Sequence, residues 1–146
     1  MPDALPGCSS MPRRRNRKAV DRSRFRKYAE VAEHFFEAGK ASMGLEYWTA
    51  AGVLFVHSAI AYADALCILQ AGVRSAGDDH EDAVALIEEL IAGGDERTGA
   101  VNQLRRIVEI KTRVSYLGEL FSQADARALE RKLERFRSWA KSLLER

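Results

Sequence analysis

The side chains with the clearest chemical potential lie in two apolar stretches of the chain. His57 and Asp64 are the strongly polar residues near the middle of residues 46–73, and their spacing places both on one face of a helix. Lys111 lies on the apolar arc of the second stretch, where a charge is unexpected. A buried lysine needs an acidic partner, and Asp64 is the candidate. Tyr116 could complete this cluster, because its hydroxyl also needs a hydrogen-bond partner.

Each of these residues also has a purely structural interpretation. The stem of Lys111 could snorkel to solvent, and His57 is expected to be a core histidine that is hydrogen-bonded to a carbonyl group or near Asp64. Cys67, on the same apolar helix, is expected to be inert packing. A zinc site needs three or four clustered ligands, whereas His34, His57 and His80 fall on three different predicted helices. The sequence therefore predicts no metal site.

No other motif indicates catalysis or a cofactor. Gly93 and Gly94 break a helix and lack the pattern of a phosphate-binding loop. No Ser/His/Asp arrangement and no pair of catalytic carboxylates stands out. We therefore predict no catalytic residue and no cofactor.

The basic residues are concentrated at the N-terminus. Residues 1–27 carry nine Lys/Arg against two Asp, a balance of +7, whereas the whole chain has a net charge of +2. Residues 1–20 hold all three prolines and predict a disordered basic arm, followed by a folded domain over residues 21–146. A solvated tail is one interpretation of the arm, and contact with nucleic acid is the other. The contacting residues would be Arg13, Arg14, Arg15, Arg17 and Lys18.

The apolar residues 50–69 are long enough to span a membrane. His57 and Asp64 near the centre argue against a span and favour a buried core helix. Two cysteines do not make a disulfide framework, and the N-terminus does not resemble a signal peptide. We expect a cytoplasmic protein without a membrane partner.

Apolar residues at helical spacing predict five helices joined by short loops. Gly39 is interpreted as the stop signal of the first helix, and Ser122 with Asp125 as a capping box that begins the last. No stretch shows strand alternation. The prediction is an all-α, up-and-down bundle of four or five helices. The predicted ranges are 21–40, 44–74, 79–92, 95–117 and 122–143.

Over about residues 25–145 the chain resembles HEPN domains (higher eukaryotes and prokaryotes nucleotide-binding). The resemblance rests on SAIAYADALCIL in the second helix, DDH before the third, and the fourth helix running into the fifth. The family pattern has a basic residue, often Arg followed by Asn, and then His or Tyr about five residues on. These positions are Lys111, Thr112 and Tyr116 here, with Phe136 and Trp139 near the end of the last helix.

The resemblance implies a helical bundle that dimerises through its second and fourth helices. Many members are RNases with an Arg and a His at the active site, and here Lys111 and Tyr116 stand at those positions. The nearest arginine is Arg113, and no histidine follows His80. Because tyrosine does not titrate near neutral pH unaided, the substitution favours a non-catalytic member.

Three hypotheses follow from these residues. The first is a homodimeric binding module without catalysis, which holds a nucleotide or RNA in a groove near the second and fourth helices. That groove would be lined by Asp64, Lys111, Arg113 and Tyr116. The alternatives are a toxin- or antitoxin-type partner protein of a nucleotidyltransferase, and a divergent metal-independent RNase.

Overall fold

A computed structural model describes residues 17–76, 81–117 and 121–146, with side chains excepted at 111–117. Two short strands, one 3-10 turn (Arg22–Arg24) and five α-helices make up this part of the chain. The strands are β1 (Arg17–Ala19) and β2 (Val73–Ser75). The helices are α1 (Phe25–Gly44), α2 (Trp48–Ala71), α3 (Glu81–Leu90), α4 (Asp95–Leu117) and α5 (Gln123–Leu144).

The predicted all-α bundle is confirmed, and α2 is its central helix. The other four helices all pack against α2. Residues 61–68 of α2 are buried without interruption, because its Ala-rich sequence is apolar on nearly every side. The apolar stripe of α5 packs into the same core, where Leu129, Leu133, Phe136 and Ala140 have no exposed surface.

Two glycines allow aromatic rings to approach the helix backbones closely. A Cβ atom on Gly39 would lie 2.5 Å from the Phe55 ring, and one on Gly52 would lie 2.5 Å from the Phe121 ring. The prediction that Gly39 ends the first helix is therefore wrong. Gly39 lies inside α1, where it makes room for Phe55 of α2, and the helix continues to Gly44.

The remaining helix ends follow local signals. Gly72 adopts a left-handed conformation (φ 68°) after the last residue of α2, where glycine is strongly favoured. The capping box predicted at Ser122 is confirmed, since the Ser122 side chain accepts from the Asp125 N–H and the Asp125 carboxylate from the Ser122 N–H. The predicted start of the third helix at residues 79–80 lies outside the described residues.

A two-stranded antiparallel ribbon, which the sequence did not predict, joins the start of the chain to the end of α2. β1 pairs with β2, and Arg17, Lys18 and Ala19 face Ser75, Arg74 and Val73 in that order. Residues 17–20, predicted as the end of the disordered arm, are thus part of the folded bundle, because backbone hydrogen bonds attach them to β2 and to the turn before it. Residues 1–16 of the arm lie outside the described part of the chain.

Helix α2 is long and apolar enough to cross a membrane by length and composition alone. Within the described residues it is the one such helix, and 72% of its apolar window is buried inside the bundle. Burial of this extent is typical of the core helix of a soluble protein.

Candidate functional site

Asp64 of the predicted groove is buried where α2 meets the ribbon. Asp64 is 8% exposed, and its carboxylate accepts hydrogen bonds from the Ser75 hydroxyl at 3.0 Å and, more weakly, from the Ser75 N–H at 3.4 Å. Burial raises the pKa of Asp64 to about 6, although the bonds from Ser75 oppose this shift. Asp64 therefore attaches β2 to α2, and its carboxyl group titrates within the physiological range.

The other three residues of the predicted groove belong to the last turns of α4. Lys111, Arg113 and Tyr116 are helical in backbone, and their side chains lie outside the described part of the structure. The pairing of Lys111 with Asp64 thus stays a prediction.

His57 and Cys67, on the same helix as Asp64, have contrasting environments. The expectation of a core histidine is wrong: His57 is exposed, and its ring lies 5.5 Å from that of Phe35. In the first half of α2 the side that carries His57 is exposed, whereas in the second half the ribbon covers the side that carries Asp64. Cys67 is 1% exposed, and burial raises the pKa of its thiol to about 12, so that it stays protonated and unreactive, as predicted.

The basic arm enters the described structure at Arg17 and Lys18. The guanidinium group of Arg17 donates two hydrogen bonds to the Glu89 carboxylate of α3, at 2.7 and 3.1 Å. Arg17, predicted to contact nucleic acid, is therefore engaged in holding β1 against α3. Lys18 is exposed on the opposite face of β1 and lies across from Arg74 of β2. Arg13, Arg14 and Arg15 lie outside the described residues.

A polar cluster that sequence reasoning missed joins α1, α2 and α5. The Tyr62 hydroxyl and the Arg137 guanidinium both donate hydrogen bonds to the Glu33 carboxylate, and Arg137 also donates to the Tyr62 oxygen at 3.0 Å. Arg137 lies over the ring of Phe36, at 4.2 Å from its centroid. Burial alone would raise the pKa of Glu33, but the hydrogen bonds from Arg137 and Tyr62 outweigh it and the pKa is lowered.

This cluster is a structural junction. Its hydrogen bonds run between its own members, Lys141 lies 3.9 Å from the Glu33 carboxylate, and burial together with the bond to Glu33 raises the pKa of Tyr62. A tyrosine with a raised pKa is a weaker acid than usual and gives no base at neutral pH. The signal in the sequence was Tyr62 itself, whose hydroxyl on a largely apolar helix had to find a partner.

A cleft with a volume of about 600 Å³ lies between α4 and α5. Its walls hold Arg131 and Arg135, but also Glu96 and Glu134, so that their charges balance. The Oε1 atom of Gln103 is buried there without a hydrogen-bond partner. This balance gives the cleft no preference for an anion or a cation.

An exposed apolar area covers the outer side of the α1–α2 hairpin. Val31, Leu45, Tyr47 and Val53 are 45%, 65%, 63% and 37% exposed, and the half-buried Phe35 lies on the same side of α1 as Val31. The contact between Phe35 and His57 joins the two helices on this side. We call these five residues, Val31, Phe35, Leu45, Tyr47 and Val53, the hairpin surface.

Within the described residues, no three His, Cys, Asp or Glu side chains are grouped so that they could hold a metal ion. Comparison with protein-family models, with curated proteins and with solved structures found no match to this chain.

Proposed function

We propose that this chain is a non-catalytic, HEPN-like binding module that forms a homodimer and binds a nucleotide or RNA. The observation that carries the proposal is the hairpin surface. Large exposed apolar side chains that cluster on one side of a protein mark an interaction site, whereas single scattered ones need no explanation. The central helix α2, which holds many of the buried residues of the bundle, contributes Val53 to this surface.

A second copy of the chain is the partner that this surface suits best. Ala50, Val53 and His57 lie on one exposed side of α2, and two of them are small or β-branched. Two such helices can approach closely about a two-fold axis, because the same patch then meets itself. The exposed rings and aliphatic chains of Tyr47 and Leu45 would add apolar area at the edge of this contact.

The proposed ligand follows from the charges and from the family resemblance. Cationic residues gather at the N-terminal end of the chain, and phosphate groups are the ligands that such clusters attract. The absence of catalysis rests on Tyr116 at the position of the family histidine, with no histidine anywhere in α4 or α5. We place this activity in the cytoplasm, since Cys67 is a buried free thiol and no disulfide framework is encoded.

The dimer is tested by Val53→Glu, with Gln70→Glu as the matched control. Both residues are exposed on α2, but Gln70 lies away from the hairpin surface. A carboxylate at the centre of an apolar interface should raise the dissociation constant of the dimer at least tenfold, whereas the control should dimerise like wild type. Sedimentation equilibrium gives both constants, and circular dichroism should show equal helicity, because neither side chain is buried within one chain.

Two results would contradict the dimer. One is a wild-type chain that stays monomeric at tens of micromolar, roughly the range of weak homodimers. The other is an unchanged dissociation constant for Val53→Glu, which would move the interface away from α2.

A further inference from the structure

The outer face of the β1–β2 ribbon carries two positive charges directly opposite each other. Lys18 and Arg74 are partners in the antiparallel register, so that their side chains project from the same face with Cβ atoms about 4.5–5.5 Å apart. The neighbouring pair, Arg17 and Ser75, faces the bundle, where it contacts Glu89 and Asp64. Because successive side chains of a strand point to opposite faces, the inner face of the ribbon contacts acidic partners in the bundle and the outer face carries the cations.

This pair is unfavourable for folding by itself. Like charges directly opposite each other in a sheet destabilise it. Neither Lys18 nor Arg74 makes an ion pair with an acidic side chain among the described residues. The nearby Asp64 is buried and accepts from Ser75, while the charge of Arg74 lowers its pKa and the Arg74 guanidinium donates to the Ser75 carbonyl at 2.8 Å. This acid near the pair is buried on the inner side, so the outer face keeps a net positive charge that an external anion would neutralise.

The segment that follows β1 adds to this charge. Arg22 and Arg24 are exposed in the 3-10 turn, and Arg22 is fixed near the start of β2 by a 3.0 Å hydrogen bond from its Nε to the Leu69 carbonyl. Asp21 is the acid in this segment, and its carboxylate accepts from the N–H and the hydroxyl of Ser23 at 2.9 and 2.7 Å. Asp21 thus stabilises the turn, and it also offsets part of the charge of Arg24. We call Lys18, Arg22, Arg24 and Arg74 the cationic ribbon.

We propose that the cationic ribbon is a binding site for the phosphate backbone of single-stranded RNA. The inference rests on the proposed function, since it states where the RNA of that proposal would be held. Lysine and arginine bind phosphates by neutralising charge and releasing counterions, which requires no base-specific groups. The four residues of the ribbon are all cations and none is aromatic, so we expect contacts mainly to the phosphate backbone, with little dependence on sequence.

An anionic membrane is the competing ligand with the same charge. Peripheral membrane binding combines basic residues with apolar side chains that insert among the lipids. The large exposed apolar side chains of the described residues lie on α1, α2 and the loop between them, and none lies on the ribbon. This separation favours a nucleic-acid backbone.

The test measures the fluorescence anisotropy of a labelled uridine oligonucleotide with the full chain, in a salt series. The double variant Lys18→Ala/Arg74→Ala should bind about tenfold more weakly at moderate salt. The slope of log K against log salt should fall by about 1.4, because about 0.7 is lost for each phosphate contact to a single strand. The control is Arg131→Ala/Arg135→Ala on α5, which removes the same charge elsewhere and should bind nearly like wild type.

A single variant separates binding from folding. Lys18→Glu places an acid opposite Arg74, so we expect a higher melting temperature together with weaker RNA binding. Loss of binding in a more stable protein cannot result from unfolding. It would show that Lys18 lowers stability but is needed for binding.

The outcomes distinguish the two proposals. If wild type and both ribbon variants bind RNA with the same affinity and the same salt dependence, the cationic ribbon is not the site. The proposed function would still stand. If wild type binds no RNA, both the RNA-binding part of the proposed function and the cationic ribbon are overturned. Binding of wild type to phosphatidylserine vesicles, with no binding to the oligonucleotide, assigns the ribbon to a membrane surface and overturns its assignment to RNA.

Discussion

Two carboxylates in this bundle, one half-buried and one buried, meet opposite electrostatic conditions. Glu33 accepts hydrogen bonds from a cation and a phenol, and its pKa is lowered. Asp64 accepts from one serine, and burial raises its pKa to about 6. The first carboxylate is stabilised in its charged form by these donors. The second carboxylate is charged at neutral pH although it is buried. The loss of its hydration lowers the stability of the fold.

Asp64→Asn should therefore stabilise the protein at neutral pH. The folded-state pKa of Asp64 lies above its ordinary value of 3.8, so its contribution to stability is present below about pH 4 and is lost as the pH rises to about 6. Asparagine keeps an oxygen for Ser75 without the charge. We expect a gain of about 2 kcal/mol at pH 7.5 and a smaller pH dependence between about 4 and 6, measured by urea unfolding.

Asp21→Asn is the control of opposite sign. The hydrogen bonds from Ser23 lower the pKa of Asp21, so its charged form supports the fold above its ordinary pKa. Its replacement should slightly reduce stability at neutral pH. A gain in stability from both variants would indicate a general effect of reduced negative charge and would refute the interpretation of Asp64.

At the same scale, the spacing of His57 and Asp64 predicted their shared face but not their environments. Helical periodicity tells which residues point the same way. It does not tell which half of a long helix another element covers, and here the ribbon covers only the half with Asp64. The short strands that do so are three residues each, too short for alternation to be recognised.

At the scale of elements, apolar spacing predicted the five helices well, and glycine was the ambiguous signal. Gly72 and Gly39 each lie near the end of a predicted helix. Gly72 is a left-handed cap, whereas Gly39 is an interior position that a ring of the next helix approaches. The first role depends on local backbone and the second on a partner far away in the sequence, which the sequence pattern does not reveal.

Gly39→Ala and Gly44→Ala should separate these roles. Alanine favours a helix at both positions, but at Gly39 its Cβ would overlap the Phe55 ring, whereas at Gly44 nothing lies within 4 Å. We expect Gly39→Ala to lose about 1–3 kcal/mol and Gly44→Ala to be unchanged or slightly more stable. Thermal unfolding measures both, and equal effects would contradict the close packing of α1 on α2.

At the scale of the molecule, the described surfaces divide by chemistry. The hairpin surface is apolar and lies on α1, α2 and their connecting loop, and the cationic ribbon lies at the β1–β2 pairing near the other end of α2. A module that pairs through one surface and holds a polyanion on another needs this separation, because cations placed in the apolar contact would weaken it.

The sequence predicted the bundle and the basic N-terminal region, but not the location of these surfaces. Arg74 carried no signal, since only the strand register sets it opposite Lys18. Arg17 belonged to the predicted nucleic-acid arm until the contact with Glu89 placed it on the inner face. Charges can be counted from sequence, but the face on which each lies depends on pairing between distant segments.

The central claim is that this chain binds RNA without cleaving it. The most direct measurement is one incubation of labelled single-stranded RNA with the full chain and with Tyr116→Phe, analysed on a native gel and on a denaturing gel. We predict a shifted band on the native gel and full-length RNA on the denaturing gel for both proteins. Shortened RNA that is lost in Tyr116→Phe would identify a divergent RNase, and unshifted RNA at low salt would contradict RNA binding.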